Sequence, residues 1–274
     1  MSKGVRIENL TVRFDDFNAL DNVTHFFEPG TSTAVMGVNG SGKTTMLESI
    51  AGLIQPTSGR IDGVPDRLAY VCQHPPATWM PLTSNEVLAM GRYRERGLVG
   101  LLRAADRAAM RAAAERLNIN HLLNSSFSEL SGGQQQRVRI AQVLASDPEL
   151  LLLDEPITGL DIPSQERILA LVEEYSRRGA IVILTTHHLD EARHCDRVIL
   201  LANRLIGSGS PQEMLTEERL RQAFGERLLG DHRDHTHDHE MIVLDDHGHH
   251  GQHRHAHAEP GPAGGFGRTQ REQH

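Results

Sequence analysis

The stretch Gly37-Val38-Asn39-Gly40-Ser41-Gly42-Lys43-Thr44-Thr45 decides how this chain is read. It emerges from a short apolar run, Thr33 to Val38, and leads into an amphipathic stretch, Met46 to Leu53. Strand, glycine loop, helix is the context of a phosphate-binding loop. Glycines at 37, 40 and 42 let the backbone curl until its N–H groups point inward at an anion. The positive N-terminal end of the following helix adds to the attraction. Lys43 can reach the β- and γ-phosphates of a nucleotide, and the Thr44 hydroxyl can hold Mg²⁺. Lys43 also stands out by composition, because of 28 basic residues only Lys3 and Lys43 are lysines.

Working outward, Leu150 to Leu153 is a second apolar run, closed by Asp154-Glu155-Pro156. Four leucines without a charge read as a central parallel strand buried on both faces. Carboxylates at its C-terminal end lie where open α/β sheets bind ligands. Asp154 suits the Mg²⁺ shell, and Glu155 is then placed as a general base for water attacking the γ-phosphate. A third run, Ala180 to Thr185, predicts another buried strand and ends at Thr186-His187-His188. A histidine there can hydrogen-bond a γ-phosphate, and the chemistry does not choose between the two. Arg6 to Arg13 alternates apolar and polar residues and reads as a further strand.

Between the glycine loop and Leu150 the sequence predicts a mostly helical insertion, about Pro75 to Asp147, with helices over Thr83–Tyr93 and Ala104–Leu117. Near its end stands Leu130-Ser131-Gly132-Gly133-Gln134, followed by a helical run to Ala145. Ser131 reads as an N-cap, and the two glycines expose N–H groups at a helix start. That is a second anion-binding geometry in one chain. A single nucleotide does not need both, so a head-to-tail pair of protomers is expected, each offering this loop to the other's nucleotide.

Composition narrows the class. The net charge is -8, which argues against a general nucleic-acid partner. Eighteen consecutive apolar residues occur nowhere, so no membrane span is expected. Met1 to Glu8 lacks the apolar core of a signal peptide, which predicts a cytoplasmic location. Two cysteines, Cys72 and Cys195, suit a reducing compartment. Cys72 is expected to be a buried small hydrophobe.

Eleven of the 17 histidines crowd the residues after Gly230. The chain therefore divides into a globular part, 1–230, and a polar His-rich tail, 231–274, expected to be disordered apart from a short strand at Met241–Leu244. His235-x-His237-x-His239 and His253-x-His255-x-His257 place imidazoles close together, a donor set that suits Zn²⁺. Asp231, Asp234 and Asp238 can add oxygen ligands.

These motifs, in this order, resemble the ATP-binding subunit of ABC transporters over roughly Val5 to Phe224. GVNGSGKT (37–44) matches the P-loop, Gln73 the Q-loop glutamine, LSGGQ (130–134) the family signature and LLLLDE (150–155) the second nucleotide motif with its catalytic glutamate. Gly159-Leu160-Asp161 matches the D-loop and His187 the switch histidine. Phe14 falls where the family places an aromatic residue on adenine, with Phe17 close by as the other candidate. The departures are Cys72 for a proline, Ile157 for a threonine and His188 for an aspartate; none removes a catalytic group.

The resemblance implies an α/β P-loop NTPase fold with a helical subdomain, about 75–147, and a small antiparallel β subdomain. It implies ATP and Mg²⁺ held by Gly37, Asn39, Gly40, Ser41, Gly42, Lys43, Thr44 and Thr45, with Gln73 sensing Mg²⁺ and water. Ser131, Gly132, Gly133, Gln134 and Asp161 would meet the nucleotide across a homodimer of ATPase subunits. The implied partner is an integral membrane permease, at the cytoplasmic face of the membrane. Tyr70-Val71-Cys72-Gln73, Trp79-Met80-Pro81-Leu82-Thr83 and Met90-Gly91-Arg92-Tyr93 resemble the zinc/manganese class of importers, which work with an extracellular metal-binding protein. An iron or iron-chelate importer is the neighbouring alternative. A non-transport ABC ATPase is another, although neither a second nucleotide domain nor heptads are found.

Overall fold

The computed structural model describes residues 3–73, 81–96 and 101–225. All of them belong to one unit within Met1–Ile242. In chain order the elements are β1 (Val5–Phe14), β2 (Phe17–Phe27), β3 (Ser32–Met36), α1 (Lys43–Ile50), β4 (Ser58–Asp62) and β5 (Leu68–Val71). Then follow α2 (Ser84–Arg96), α3 (Ala104–Arg116), α4 (Gly132–Leu144), β6 (Leu150–Asp154), α5 (Ile162–Arg177) and β7 (Ile181–Thr186). The last are α6 (Leu189–Arg193), β8 (Arg197–Leu201), β9 (Leu205–Gly209), α7 (Pro211–Met214) and α8 (Glu217–Phe224).

Six strands form one sheet in the order β5-β6-β7-β3-β8-β9, parallel except for the antiparallel edge strand β9. Period-two alternation divides its side chains between two cores. Leu150, Leu152, Ile181, Ile183, Val35, Ile199 and Leu201 face α1 and a second sheet, of order β2-β1-β4. Leu151, Leu153, Val182, Leu184, Ala34, Met36, Val198 and Leu200 face the other way, into a core that continues through α5 and the helices of the insertion. Both faces are covered, so the central strands read as unbroken apolar runs.

The three-stranded antiparallel sheet is the small antiparallel β subdomain that the resemblance implies, although of its strands the residue pattern alone gives only β1. The strand β2 hides its alternation because Asn22 takes a left-handed φ of 50° and the β1–β2 register shifts along its length. The strand β4 is a short, mostly exposed edge. Helix α1 begins at Lys43 and ends at Ile50, three residues earlier at each end than the apolar pattern predicts. Its first turn is the glycine loop itself, and Gly52 at φ 75° stops it.

Helices α2, α3 and α4 lie within the expected insertion. Close contact between α2 and α4 is made at Gly91, where a Cβ would stand 2.0 Å from the Gln142 carbonyl oxygen. A buried ion pair joins α2 to the start of α3: the Arg92 Nε donates to Asp106 Oδ1 at 3.0 Å, with Asp106 wholly buried. The Arg92 Nη1 also donates to the Ala145 carbonyl at 2.7 Å, which fixes the end of α4. Among the described residues no helix is long and apolar enough to cross a membrane.

Candidate functional site

The site lies at the C-terminal ends of β3, β6 and β7. The glycine loop leaves β3 and turns back beneath α1. Two of its glycines are required by close approach: a Cβ on Gly37 would come 2.2 Å from the Leu201 carbonyl, and one on Gly42 would come 2.4 Å from that of Ala19. Gly42 also holds φ at 96° as the N-cap of α1. Gly40, at φ 81°, has nothing within 4 Å of where its Cβ would be, so the loop is open on that side. Asn39 is exposed beside it, and Thr45 is half-buried in the first turn of α1.

Lys43 is buried, 6% exposed, and its Nζ donates to the carbonyls of Gly37 at 2.8 Å and Val38 at 3.2 Å. Burial lowers its pKa, while the nearby Glu155 and Asp154 oppose that fall. The Ser41 Oγ is buried without a hydrogen-bond partner. A buried hydroxyl, an ammonium and the free N–H groups of a helix start converge on one loop, and such a set fits a polyphosphate anion.

Opposite the loop stand two carboxylates of β6 and its exit. Asp154 is 1% exposed. Its Oδ2 accepts from the Thr44 Oγ1 at 2.8 Å and its Oδ1 from the Thr185 Oγ1 at 2.5 Å. A threonine hydroxyl paired with a buried carboxylate fits a hard cation that takes oxygen ligands, as Mg²⁺ does. Glu155 leaves the strand in a left-handed conformation, φ 46°, and its N–H donates to the Thr185 Oγ1 at 2.9 Å. The Glu155 Oε2 accepts from the Gln73 Nε2 at 2.8 Å and the Thr158 Oγ1 at 3.4 Å. The His187 Nδ1 stands 3.6 Å from the Glu155 Oε1. The adjacent His187 holds the Glu155 carboxyl below its usual range, against the opposing effect of burial; Lys43 contributes in the same direction. Glu155 is therefore ionised at neutral pH and able to accept a proton.

Of the two histidines the structure brings His187 to Glu155. His188 is exposed and stands at the N-cap of α6. Its N–H donates to the Thr186 Oγ1 at 2.9 Å, and the two rings lie 4.1 Å apart.

The second glycine motif forms its own geometry. Ser131 caps α4, accepting from the Gln134 N–H at 3.3 Å, and the Gln134 Oε1 accepts from the Ser131 N–H at 2.9 Å. This reciprocal box closes the helix start. Gly132 is open on its Cβ side, while a Cβ on Gly133 would meet Leu160 at 3.0 Å. Asp161 caps α5 by accepting from the Ser164 N–H at 2.8 Å, and the Ser164 hydroxyl, together with that N–H, pulls its pKa down. No hydrogen bond among the described residues joins Ser131, Gly132, Gly133 or Gln134 to the glycine loop. Phe14 and Phe17 pair across the β1–β2 turn and are 47% and 54% exposed, so both offer a ring face.

One expectation is corrected. Cys72 is half-buried, next to Gln73 at the open end of β5, whereas Cys195 is the buried thiol. Burial pushes the Cys195 thiol up to about 12. The tail residues His235, His237, His239, His253, His255 and His257, and the expected strand at Met241–Leu244, lie outside the described residues. Among the described residues no group of three or more His, Cys, Asp or Glu could hold a metal ion.

Sequence reasoning missed Thr185 and Asn203. Thr185 was hidden as the polar end of an apolar strand. Asn203, at φ 56° between β8 and β9, donates from Nδ2 to the carbonyls of Gly40 at 2.9 Å and Ala19 at 3.1 Å. Its N–H donates to the Ser41 carbonyl at 2.8 Å, and its own carbonyl accepts from the Asp21 N–H at 2.7 Å. It straps the glycine loop to β2. A left-handed Asn in a hairpin was the available signal.

An α/β sheet with a phosphate-binding loop facing an Asp-Glu pair defines a nucleoside-triphosphate hydrolase. The family profile described as "ABC transporter" matches residues 20–158. A manganese transport system ATP-binding protein, MntA of Synechocystis sp., is 34% identical over 81% of this chain and 90% of its own length. The zinc transport system ATP-binding protein TroB of Treponema pallidum is 35% identical over 82% of this chain and 88% of its own. The chelated iron transport system membrane protein YfeB of Yersinia pestis is 32% identical over 80% of this chain and 78% of its own length. Among solved structures, an ATP-binding cassette crystallised as a dimer in a post-hydrolysis state with ADP and Pi superposes with a TM-score of 0.67 at 27% identity, over 76% of this chain and 98% of that one. This chain belongs to the ABC transporter family, as an ATP-binding subunit, and it is an ATP hydrolase.

Proposed function

We propose that the chain powers the import of a divalent transition metal, zinc or manganese, from the cytoplasmic face of the membrane. The observation that carries the metal assignment is the set of relatives at 34–35% identity over more than four-fifths of the chain, which are named for manganese and zinc transport. The relative named for chelated iron supports iron as the second reading.

In the proposed mechanism Lys43 and the N–H groups of the glycine loop hold the β- and γ-phosphates of ATP, with Ser41 adding its unpaired hydroxyl. Phe14 or Phe17 covers the adenine. Thr44, Asp154 and Gln73 are the residues that would hold Mg²⁺, which when bound supplies charge neutralisation to the phosphates. Ionised Glu155 takes the proton of the attacking water. Gln73 and His187 flank that carboxylate on its two oxygens and orient it. Ser131, Gly132, Gly133, Gln134 and Asp161 make no hydrogen bond to their own chain's glycine loop. They serve the nucleotide of a second copy, as the open helix start at Gly132 suits.

The partners are a membrane permease and the extracellular binding protein that delivers the metal. The His-rich tail, residues 231–274, binds zinc and damps transport when cytosolic zinc is high. Uptake of radioactive zinc, manganese and iron by cells with wild-type or Glu155→Gln protein tests the assignment. Uptake of zinc or manganese that depends on Glu155 is expected; dependence for iron alone would move the assignment to the second reading. Truncation after Gly230 tests the tail, and identical zinc responses of both forms would remove its role.

A further inference from the structure

We infer that Thr185 is a positioning residue for hydrolysis, whose single hydroxyl sets the Mg²⁺-side carboxylate and the general base together. The inference rests on the ATP-hydrolysing reading given above.

The argument begins with register. In the parallel pair β6–β7, Asp154 lies opposite Thr185. Both are buried, at 1% and 0% exposure, so neither can exchange its partner for water. A threonine hydroxyl offers one proton and two lone pairs. Here the proton goes to the Asp154 Oδ1 at 2.5 Å, and a lone pair receives the Glu155 N–H at 2.9 Å. One oxygen atom thus touches two consecutive residues with different tasks. The two bonds are also demanding in different ways. The first leaves Asp154 one fixed orientation, since its Oδ2 is already taken by Thr44. The second pins the peptide exactly where the chain swings to φ 46°, a conformation a glutamate adopts only under constraint. The side-chain direction of Glu155 toward Gln73 and His187 depends on that swing. Thr185 is β-branched and confined to few rotamers in a packed strand, so the hydroxyl is held as firmly as the backbone that bears it.

Valine has the same shape without the hydroxyl, so Thr185→Val separates the hydrogen bonds from the packing. Serine keeps the hydroxyl and loses the methyl. With the full-length chain together with its membrane partner, Thr185→Val is expected to lower kcat by about tenfold to a hundredfold with little change in KM for ATP. The Mg²⁺ concentration for half-maximal activity should rise in parallel. Thr185→Ser should restore both to near the wild-type values. A readout independent of turnover is the hydrogen exchange of the Glu155 amide in nucleotide-free protein. It should be slow in the wild type and in Thr185→Ser, and fast in Thr185→Val. Equal defects in the Val and Ser variants would assign Thr185 to packing alone and overturn the inference. So would a Val variant with wild-type kcat, Mg²⁺ dependence and amide exchange. A wild-type chain that fails to hydrolyse ATP would instead sink the reading on which the inference rests, and slow exchange in Thr185→Val would then sink the inference as well.

Discussion

The six-stranded sheet carries charged residues at both of its ends, and the two ends behave as different materials. At the N-terminal end a cleft of about 550 Å³ is lined by Arg67, Asp147, Glu149, Tyr175 and Arg178. Its ion pairs are short, with Arg67 2.7 Å from Glu149 and Arg178 2.8 Å from Asp147, yet their side chains are 40–53% exposed. At the C-terminal end the Glu155 and His187 side chains are only 8% and 16% exposed and are 3.6 Å apart. Each group there is also tied to hydroxyls, amides or a strained backbone. Water screens the first set and leaves its charges nearly independent. Exclusion of water makes the second set respond to one another. The shorter ion pairs belong to the more exposed set, so burial and not ion-pair distance separates the two.

The sharpest way to break this contrast is Glu155→Gln. Loss of the proposed general base should reduce kcat by about 10²–10⁴-fold while ATP binding persists, measured by single-turnover hydrolysis and equilibrium binding. Normal turnover would remove Glu155 from its role. Next comes Asn203→Ala, which deletes two hydrogen bonds to the Gly40 and Ala19 carbonyls. It should raise the KM for ATP by up to about thirtyfold, since two bonds of roughly 1 kcal/mol each are lost, with kcat little altered. A fall in kcat alone would mean that the strap acts on chemistry and not on binding.

A pH profile sharpens the comparison further. Because His187 holds the Glu155 pKa below the usual value, ionised Glu155 persists to lower pH than an ordinary glutamate. Any stability that it contributes is present above the unfolded-state pKa and is lost as the pH falls through the folded value. The acid limb of kcat/KM should therefore lie below the ordinary glutamate range, and in His187→Gln the limb of the residual activity should move upward. An unmoved limb would show that His187 does not set this ionisation. The smallest effect belongs to the other end. Arg178→Ala should cost less than about 1 kcal/mol in denaturant unfolding and leave kcat and KM unchanged. A larger loss would mean that the exposed network is as coupled as the buried one.

The legible parts of the fold were those with local signals. The runs at Leu150–Leu153 and Ala180–Thr185 are buried on both faces and carry no polar interruption, so their strands could be read directly. Ser131 followed by Gln134 is a capping box written in four residues, and α4 starts there. The strands β2, β4 and β9 gave weaker signals, whereas β8 carries an apolar run, Val198–Leu201, of the same kind as β6. Bulges scramble the alternation of β2, and β4 and β9 are short edges with glycine inside them. His187 could not be separated from His188 by chemistry, because the choice depends on where α6 begins. Cys72 is a core residue by type, but it lies half-buried beside Gln73 at the end of β5.

By itself the sequence determined the chemistry that this protein can perform: the glycine loop with Lys43 and Thr44, and the Asp154-Glu155 pair at a strand end. Those motifs are local because a loop that wraps an anion needs particular backbone freedom at consecutive positions. Tertiary structure alone decided which distant groups complete them. Thr185 reaches Asp154 across 31 residues of chain and Asn203 reaches Gly40 across 163. Strand pairing and hairpin placement bring them there. A lone threonine or asparagine carries no mark of the partner it will meet until the sheet has set its register.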